Sequence, residues 1–248
     1  MITWLLFGVG AVCAGFIQGL TGFAFGLVAM SFWVWVLSPQ LAAPLVIFAS
    51  IWGHLLSSFG EQKQRPQLPF NVVLPYIIAG LMGVPLGTWL LHSIDPQSFK
   101  WVLGCFLVVW SPLMLLNPQW SRLQQAGKWA DGTVGFLGGI LGGLGGFSGA
   151  LPSAWVMLKN LTKAEQRYIL RHFNFAVLVL ALLSYVVQGY LGLEHLGYCI
   201  VLILAVSIPA MLGARLFYRI SEQQFKIIVL GLLFIAGCLM LLSQLLNG

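Results

Sequence analysis

The sequence predicts an all-α, polytopic membrane protein made of two homologous halves, and three observations support this fold class. Only 7% of the 248 residues are charged and 59% are hydrophobic, whereas a soluble domain needs roughly 25% charged residues to cover its surface. The apolar residues fall in runs of about 18 to 22, the length that crosses a bilayer core. Two motifs from the first half of the chain recur in the second half, which indicates a duplication.

Six continuous apolar runs are predicted to be spanning helices, and a glycine-interrupted segment precedes the runs of each half. The runs are Leu41–Phe59, Phe70–Leu91, Phe99–Leu116, His172–Tyr190, Leu196–Phe217 and Phe225–Leu246. The glycine segments are Met1–Leu37 and Gly132–Leu158. We therefore expect an N-terminal half over residues 1–116, a polar linker over residues 117–131 and a C-terminal half over residues 132–248. Each half begins with a glycine-broken helical hairpin and continues with three spanning helices.

Two pairs of matching stretches carry the duplication. LGTWLLHSIDPQSFK, from Leu86 to Lys100, aligns without gaps on LGARLFYRISEQQFK, from Leu212 to Lys226. LTGF at Leu20–Phe23 matches LGGF at Leu144–Phe147. The equivalent loops of the two halves carry opposite charge bias, which is expected when they face opposite sides of the membrane. The sequence therefore predicts inverted repeats.

The distribution of basic residues predicts which side each loop faces. If each glycine segment enters and leaves on the same side, eleven of the twelve Lys and Arg residues lie on one face and only Lys100 on the other. The eleven are Lys63, Arg65, Arg122, Lys128, Lys159, Lys163, Arg167, Arg171, Arg215, Arg219 and Lys226. If each glycine segment crosses once instead, the division is eight to four. The positive-inside rule favours the hairpins and places both termini outside.

The glycine segments have two interpretations. Gly135, Gly139 and Gly143 form overlapping GxxxG steps, which allow helices to pack closely. The alternative is a broken helix, because seven glycines lie among residues 138–149 and each costs a helix about 1 kcal/mol relative to alanine. Gly132–Leu158 would be about 40 Å long as one helix but about 20 Å as a folded pair. A folded pair would bring its break near the middle of the membrane.

A break of this kind exposes backbone N–H groups at a helix N-terminus, where the helix dipole attracts an anion. Interrupted segments at matching positions of two halves also indicate a transport site. The predicted substrate-binding residues are Thr21, Gly22, Phe23 and Gly26 in the first half, and Gly145, Gly146, Phe147, Ser148 and Gly149 in the second. Thr21 and Ser148 would add hydroxyl groups, and Pro152 suits the first turn of the helix that follows the second break.

Other polar residues within the runs are candidates because an ionisable group inside a membrane is a functional hypothesis by default. His54, His172 and Asn174 are predicted to contact substrate or to form a gate. The alternatives are a packed histidine for His54 and an ordinary interfacial position for His172 and Asn174. A basic rim of Lys159, Arg167 and Arg171 would raise the local anion concentration. No Asp or Glu lies deep in a run, which argues against a carboxylate proton relay or sodium site.

The remaining composition excludes several classes of function. The four cysteines lie inside apolar runs with no CxxC and no ligand at metal-binding spacing, so we expect neither metal nor cofactor. The basic residues lie between apolar runs, where they report topology rather than a nucleic-acid surface. The expected partners are a small anionic substrate and the lipid bilayer, and the sequence leaves open whether the chain forms a homo-oligomer.

The chain resembles the TauE/SafE family of sulfite exporters, also called toluene-sulfonate uptake permeases. The resemblance rests on the glycine-rich start of each half, on GGFSGALPSAW at Gly145–Trp155 and on IPAMLGARLFYRISEQQFKIIVLGLLFIAG at Ile208–Gly237. It implies transport of small sulfur-containing anions across the bacterial cytoplasmic membrane without ATP hydrolysis. The family is usually drawn with two four-span halves, which would be parallel repeats, so the predicted hairpins depart from that drawing.

Two other classes of function stay open beside an alternating-access transporter that exports sulfite or organosulfonates. Gly146-Phe147-Ser148-Gly149 matches the GxSG motif of rhomboid intramembrane proteases, with His172 or His195 as the base. The equivalent stretch of the first half lacks the serine, which disfavours an enzyme. The third class is a non-transporting membrane subunit. The sequence does not determine the anion, the direction of transport, its coupling to a proton or Na⁺, or the oligomeric state.

Overall fold

The structure is a computed structural model that describes residues 2–33, 36–58, 68–91, 96–116, 127–159 and 161–247. Within these ranges the chain forms ten α-helices and no β-strand. They are α1 (Ile2–Thr21), α2 (Phe25–Trp33), α3 (Pro39–Ser58), α4 (Leu74–Leu90), α5 (Pro96–Leu115), α6 (Lys128–Gly145), α7 (Ala150–Val156), α8 (Lys163–Val187), α9 (Leu196–Phe217) and α10 (Glu222–Asn247). Lys63, Arg65, Arg122 and residues 117–126 of the predicted linker lie outside the described residues.

The helices have the length and surface of membrane spans. Among the described residues, five helices are long and apolar enough to cross a bilayer, namely α1, α3, α8, α9 and α10. Shorter apolar helices lie at Leu74–Leu90 and within α5 at Gly104–Leu113. Large apolar side chains such as Met82, Leu204 and Ile208 are more than two-thirds exposed, as expected for helices that face lipid. The prediction of an all-α polytopic membrane protein is confirmed.

Both glycine segments are folded hairpins, as predicted. α1 ends at a break where Gly22 has φ +86°, and α6 ends at a break where Gly146 has φ +77°. Only glycine adopts this left-handed backbone conformation at little cost. In each hairpin the short second helix returns along the first. The two arms are unequal, since α1 and α6 have 20 and 18 residues whereas α2 and α7 have nine and seven.

The GxxxG interpretation also holds, but for other glycines than those at the breaks. A Cβ atom on Gly135 would lie 2.5 Å from the carbonyl oxygen of Tyr76, and one on Gly139 would overlap the carbonyl of Gly80. These glycines therefore allow α6 to pack directly on the backbone of α4. The same segment thus contains a packing stripe and, after it, a conformational break.

The start of α8 differs from the prediction. The helix begins at Lys163, well before the predicted start of the apolar run at His172. Thr162 and Glu165 form a capping box, in which the Thr162 side chain accepts from the Glu165 backbone N–H and the Glu165 carboxylate accepts from that of Thr162. This cap fixes the N-terminus, and the first turns of α8 are charged, so hydropathy alone places the start too late.

The two halves pack through exchanged helix pairs. Along α1 and α9, Gly15 contacts Val206 and Gly19 contacts Ala210, so these two helices run parallel. α6 and α4 also run parallel, because Gly135 contacts Tyr76 and Gly139 contacts Gly80. The first helix of each half therefore lies along a helix of the other half.

One end of the bundle is rich in basic residues, and we call it the basic end. Lys163 Nζ donates to the carbonyl oxygen of Phe217 at 3.2 Å, so α8 begins where α9 ends. The rings of Phe70 and His172 lie 6.0 Å apart, which brings the start of α4 to the same end. The described basic residues here are Lys128, Lys159, Lys163, Arg167, Arg171, Arg215, Arg219 and Lys226.

Candidate functional site

The breaks of the two hairpins meet inside the bundle. Gly26, at the start of α2, lies so close to the carbonyl of Gly146 that a Cβ atom there would overlap it. A Cβ atom on Gly149 would lie 2.6 Å from the Cβ of Phe23. Gly26 is required because the two backbones approach closely there, and Gly149 is required because the Phe23 side chain packs on it. These contacts explain why both breaks contain glycine.

The second break lies about halfway along two of the spanning helices, whereas the first break contacts Arg167 in the first turns of α8. A Cβ atom on Gly146 would lie 2.7 Å from Val46 and 3.3 Å from Ile47, near the middle of α3. The hydroxyl of Ser148 lies 2.5 Å from the side-chain oxygen of Asn174, near the middle of α8. The depth of the second break in the bundle therefore comes from the contact with α3 and α8, although α6 could nearly cross a bilayer by itself.

Thr21 organises the first break. Its hydroxyl donates to the carbonyl oxygen of Ile17 at 2.9 Å and accepts from the backbone N–H groups of Phe23 and Ala24 at 3.4 Å each. Because its hydroxyl already donates to Ile17, Thr21 stabilises the turn and does not offer a hydrogen-bond donor to a substrate. The first-turn N–H groups of α2, among them that of Gly26, have no acceptor within their own helix.

The second break ends α6 with a left-handed αL cap at Gly146. The N–H of Gly146 donates to Gly142 and that of Phe147 to Leu141, at 2.9 and 3.2 Å, which satisfies carbonyls of the last turn. Ser148 and Asn174 lie beside this turn, with 1% and 0% of their surface exposed. Ser148 Oγ donates to Asn174 Oδ1, whereas Asn174 Nδ2 has no hydrogen-bond partner among the described residues.

Arg167 lies at the first break rather than on a rim. Its side chain is 2% exposed, and a Cβ atom on Gly22 would lie 3.0 Å from Arg167 Cγ. Nη2 donates to the carbonyl oxygen of Gly19 at 2.7 Å, and the guanidinium lies 4.2 Å from the centre of the Phe217 ring. Arg167 was predicted to belong to an electrostatic rim, and the structure places this cation inside the protein instead.

Polar residues line the facing sides of α3 and α8 between the breaks and the basic end. His54 is 1% exposed, its ring meets Phe175 edge to face at 6.4 Å, and it interacts electrostatically with Arg171 and Arg167. Both stripes follow helical i, i+4, i+7 spacing, Ser50, His54 and Ser57 on α3 and Arg167, Arg171 and Asn174 on α8. That spacing is the sequence signal that could have placed Arg167 with Asn174.

The structure does not bring His172 to the breaks. Its Nδ1 lies 2.8 Å from the carbonyl oxygen of Tyr168, and its ring packs on Tyr168 and Phe70. His172 and Asn174 are two residues apart and so point to different faces of α8. The protease alternative needs a histidine beside Ser148, but the Ser148 hydroxyl pairs with Asn174, and His195 Nδ1 accepts from the backbone N–H of Gly192 at 3.2 Å.

Lys159, the third predicted rim residue, pairs with a carboxylate that was not among the predicted site residues. Lys159 Nζ lies 2.5 Å from Asp131 Oδ1. The same oxygen accepts from the Tyr76 hydroxyl at 2.6 Å and from the Trp155 indole at 2.8 Å. Asp131 falls in the predicted linker, but α6 begins at Lys128, so this carboxylate belongs to the second hairpin and is 5% exposed.

The comparison with protein families identifies the family of the chain. The family model "Sulfite exporter TauE/SafE" matches residues 6–240, which is nearly the whole chain. No curated protein and no solved structure gives a significant match. The matched region covers nearly all of both hairpins and the repeated stretches Leu86–Lys100 and Leu212–Lys226. The chain belongs to the TauE/SafE family of sulfite exporters and is a membrane transporter.

Proposed function

We propose that this protein exports a small oxyanion, such as sulfite or an organic sulfonate, across the bacterial cytoplasmic membrane. The observation that carries the proposal is the contact between the two helix breaks, Gly26 against Gly146, halfway along α3 and α8. Irregular backbone at this depth is tolerated in a membrane only where protein buries it or where it lines a polar cavity. The family match supports the substrate class.

The first break offers positive potential from two sources. The N-terminus of α2 carries the equivalent of about half a positive charge, and its first-turn N–H groups have no intrahelical acceptor. The Arg167 guanidinium lies against Gly22 on the same break. At about 4 Å a full charge contributes about 4 kcal/mol in surroundings of intermediate polarity. Together these groups can replace part of an anion's hydration without a metal ion.

The path from the basic end to the breaks would follow the polar stripes of α3 and α8. Along α8 from the basic end Arg167 comes first and Arg171 one turn later, and Asn174 is at the second break. His54 is buried on α3. Basic groups at the mouth of a narrow path concentrate anions there. In this proposal Arg167 and Arg171 attract the substrate, and Arg167 also helps to bind it at the first break.

We infer alternating access between two inverted halves. α6 begins at the basic end, whereas the equivalent α1 ends near it, since Gly22 contacts Arg167 in the first turns of α8. Opposite directions of equivalent helices support an inverted repeat. The exchanged pairs α1–α9 and α4–α6 then form two equivalent units that can rock about the breaks.

The basic end is assigned to the cytoplasm by the positive-inside rule. α1 then begins outside. α10 begins at the basic end and so ends outside. An inside-negative potential drives an anion outward with about 2.3 kcal/mol per charge per 100 mV, so export needs no other coupled ion in this scheme.

The proposal is tested by flux in liposomes that contain the purified protein. Sulfite, sulfate, thiosulfate and a small sulfonate are compared, and we expect sulfite or the sulfonate to move fastest. Gly146→Val should abolish flux, because Gly146 has positive φ and a Cβ atom there would meet Val46 at 2.7 Å. Gly8→Val is the matched control, since nothing lies within 4 Å of a Cβ atom at Gly8. Absence of oxyanion flux in the wild-type protein, or normal flux in Gly146→Val, would contradict the proposal.

A further inference from the structure

We propose that the side-chain amide of Asn174 recognises an oxygen atom of the anion, and that Ser148 is a positioning residue that orients this amide. The inference rests on the proposed function, because it assigns the neutral hydrogen-bond donor of the same site. It also gives different roles to Asn174 and Ser148, which the sequence predicted only as two of several substrate-binding residues. The geometry of the Ser148–Asn174 pair carries the argument.

The pair fixes which way the amide points. Ser148 Oγ donates its proton to Asn174 Oδ1 across 2.5 Å. A side-chain amide has its oxygen and nitrogen on opposite edges, so the bond to Ser148 directs Nδ2 away from the serine. Nδ2 has no hydrogen-bond partner among the described residues, and Asn174 is completely buried. Such a donor is costly to bury unless an acceptor binds it.

The position of the pair places this donor at the two breaks. A Cβ atom on Gly142 would lie 2.9 Å from the Cβ of Ser148, so the serine packs on the end of α6. Gly149, the next residue, packs on Phe23 of the first break. Asn174 also shares one face of α8 with Arg167, two turns away, so the same helix supplies the guanidinium at the first break and the amide at the second.

The chemistry of this donor selects among substrates. An amide N–H donates and cannot accept, so it favours oxygen atoms that carry only lone pairs, as in ionised sulfite or a sulfonate group. The Ser148 hydroxyl already donates its hydrogen bond to the amide oxygen, so it cannot donate to the anion. The repeat pairs Ser148 with Ala24, as LTGF matches LGGF, so the two breaks contribute different groups: Arg167 to the first and Asn174 to the second.

Three variants test the assignment in liposomes and in detergent. Asn174→Asp replaces the donor by an acceptor of the same shape and adds a negative charge. Asn174→Leu has similar size and no polar group. Ser148→Ala frees the amide to rotate. Ser184→Ala is the control, because Ser184 is also in α8 but its hydroxyl donates to Leu180 in its own helix. The readouts are sulfite flux against concentration and the shift in melting temperature that sulfite produces.

We expect Asn174→Asp to lose the sulfite-induced shift and nearly all flux. Asn174→Leu removes a buried donor without a partner but also leaves the Ser148 hydroxyl without its acceptor, so its melting temperature without sulfite should stay close to that of wild type. It should bind sulfite about tenfold or more weakly. Ser148→Ala should raise the KM several-fold with little change in maximal flux. A purely structural role would lower the melting temperature of all three variants and leave the KM unchanged.

The outcomes separate this inference from the proposed function. If wild-type protein carries sulfite and Asn174→Leu carries it with an unchanged KM, the role of Asn174 is wrong and the transport function stands. If Asn174→Leu weakens binding but Ser148→Ala does not, the positioning role of Ser148 is wrong. If wild-type protein neither binds nor carries any of the oxyanions, both proposals are overturned.

Discussion

Phe7 and Asp131 occupy equivalent positions in the two hairpins, fifteen residues before Gly22 and Gly146 respectively, and each accepts a hydrogen bond from a tryptophan of the returning short helix. Trp33 Nε1 donates to the carbonyl oxygen of Phe7 at 3.1 Å, and Trp155 Nε1 donates to the carboxylate of Asp131 at 2.8 Å. In both hairpins, a tryptophan hydrogen bond thus joins the two helices at the end opposite the break.

The surroundings of the two contacts differ. Phe7 stacks on Trp33 with ring centroids 4.7 Å apart and also meets Trp4 and Tyr198. Asp131 pairs with Lys159. The first hairpin is therefore closed by aromatic packing, and the second by a buried ion pair at the basic end.

Asp131→Asn should destabilise the protein by about 3 kcal/mol, because it leaves Lys159 beside a group that no longer compensates its charge. The double variant with Lys159→Met should recover much of this loss. Unfolding of the purified protein in mixed micelles measures both. Lys128→Met, an exposed cation in the first turn of α6, serves as the control. Equal stability of Asp131→Asn and wild type would show that the ion pair does not hold the hairpin.

Trp33→Phe should cost about 1 kcal/mol, since it removes the hydrogen bond to the Phe7 carbonyl but retains an aromatic ring for stacking. Trp33→Ala should cost about 3 kcal/mol or more, as the ring is completely buried and its loss leaves a large cavity. The difference between the two variants, measured by the same unfolding experiment, gives the contribution of the ring. A Phe variant as unstable as the Ala variant would contradict this division.

Gly26→Ala should reduce sulfite flux by about tenfold or more while the protein still inserts in the membrane. The added methyl group would overlap the carbonyl of Gly146, so the two breaks must move apart. Gly26 does not have positive φ, unlike Gly22, so the change acts by sterics rather than by backbone strain. Gly231→Ala, where nothing lies within 4 Å, is the matched control. Unchanged flux in Gly26→Ala would mean that contact between the breaks is not required for transport.

Arg167→Met should bring sulfite flux close to background, because it removes the buried charge beside the first break. Arg167→Lys keeps the charge but cannot reproduce the guanidinium fork that reaches the Gly19 carbonyl, so we expect partial flux with a higher KM. Arg215→Met, an exposed residue at the same end of the bundle, should transport like wild type. Full activity in Arg167→Met would show that this cation does not take part in substrate binding.

Fusions at each terminus test the orientation. With the basic end in the cytoplasm, alkaline phosphatase fused to the C-terminus should be active in the periplasm, and a fluorescent protein that folds only in the cytoplasm should be dark there. The same pattern is expected at the N-terminus when an upstream export signal is supplied. Cytoplasmic fluorescence at either terminus would contradict the inferred topology.

The sequence by itself determined the elements whose cause is local. The predicted apolar run Leu196–Phe217 has the same boundaries as α9. A helix that faces lipid needs apolar side chains along its whole length, so its hydropathy marks both of its ends. The two breaks were also predictable, since the cost of glycine in a helix acts at the glycine itself. The start of α8 was missed because a charged first turn carries no hydropathy signal, although its capping box was present in the sequence.

Only the tertiary structure decided which polar groups meet. Arg167 reaches Gly19, and Asp131 reaches Tyr76, across distances in the chain that no local pattern connects. A charge near the end of an apolar run is compatible with water, lipid headgroups or a buried partner, and hydropathy does not distinguish among them. Their burial follows from the exchanged packing of α1 on α9 and α6 on α4. That packing depends on close contacts between helices distant in the chain, so only the folded chain places the cation at the first break and the amide at the second.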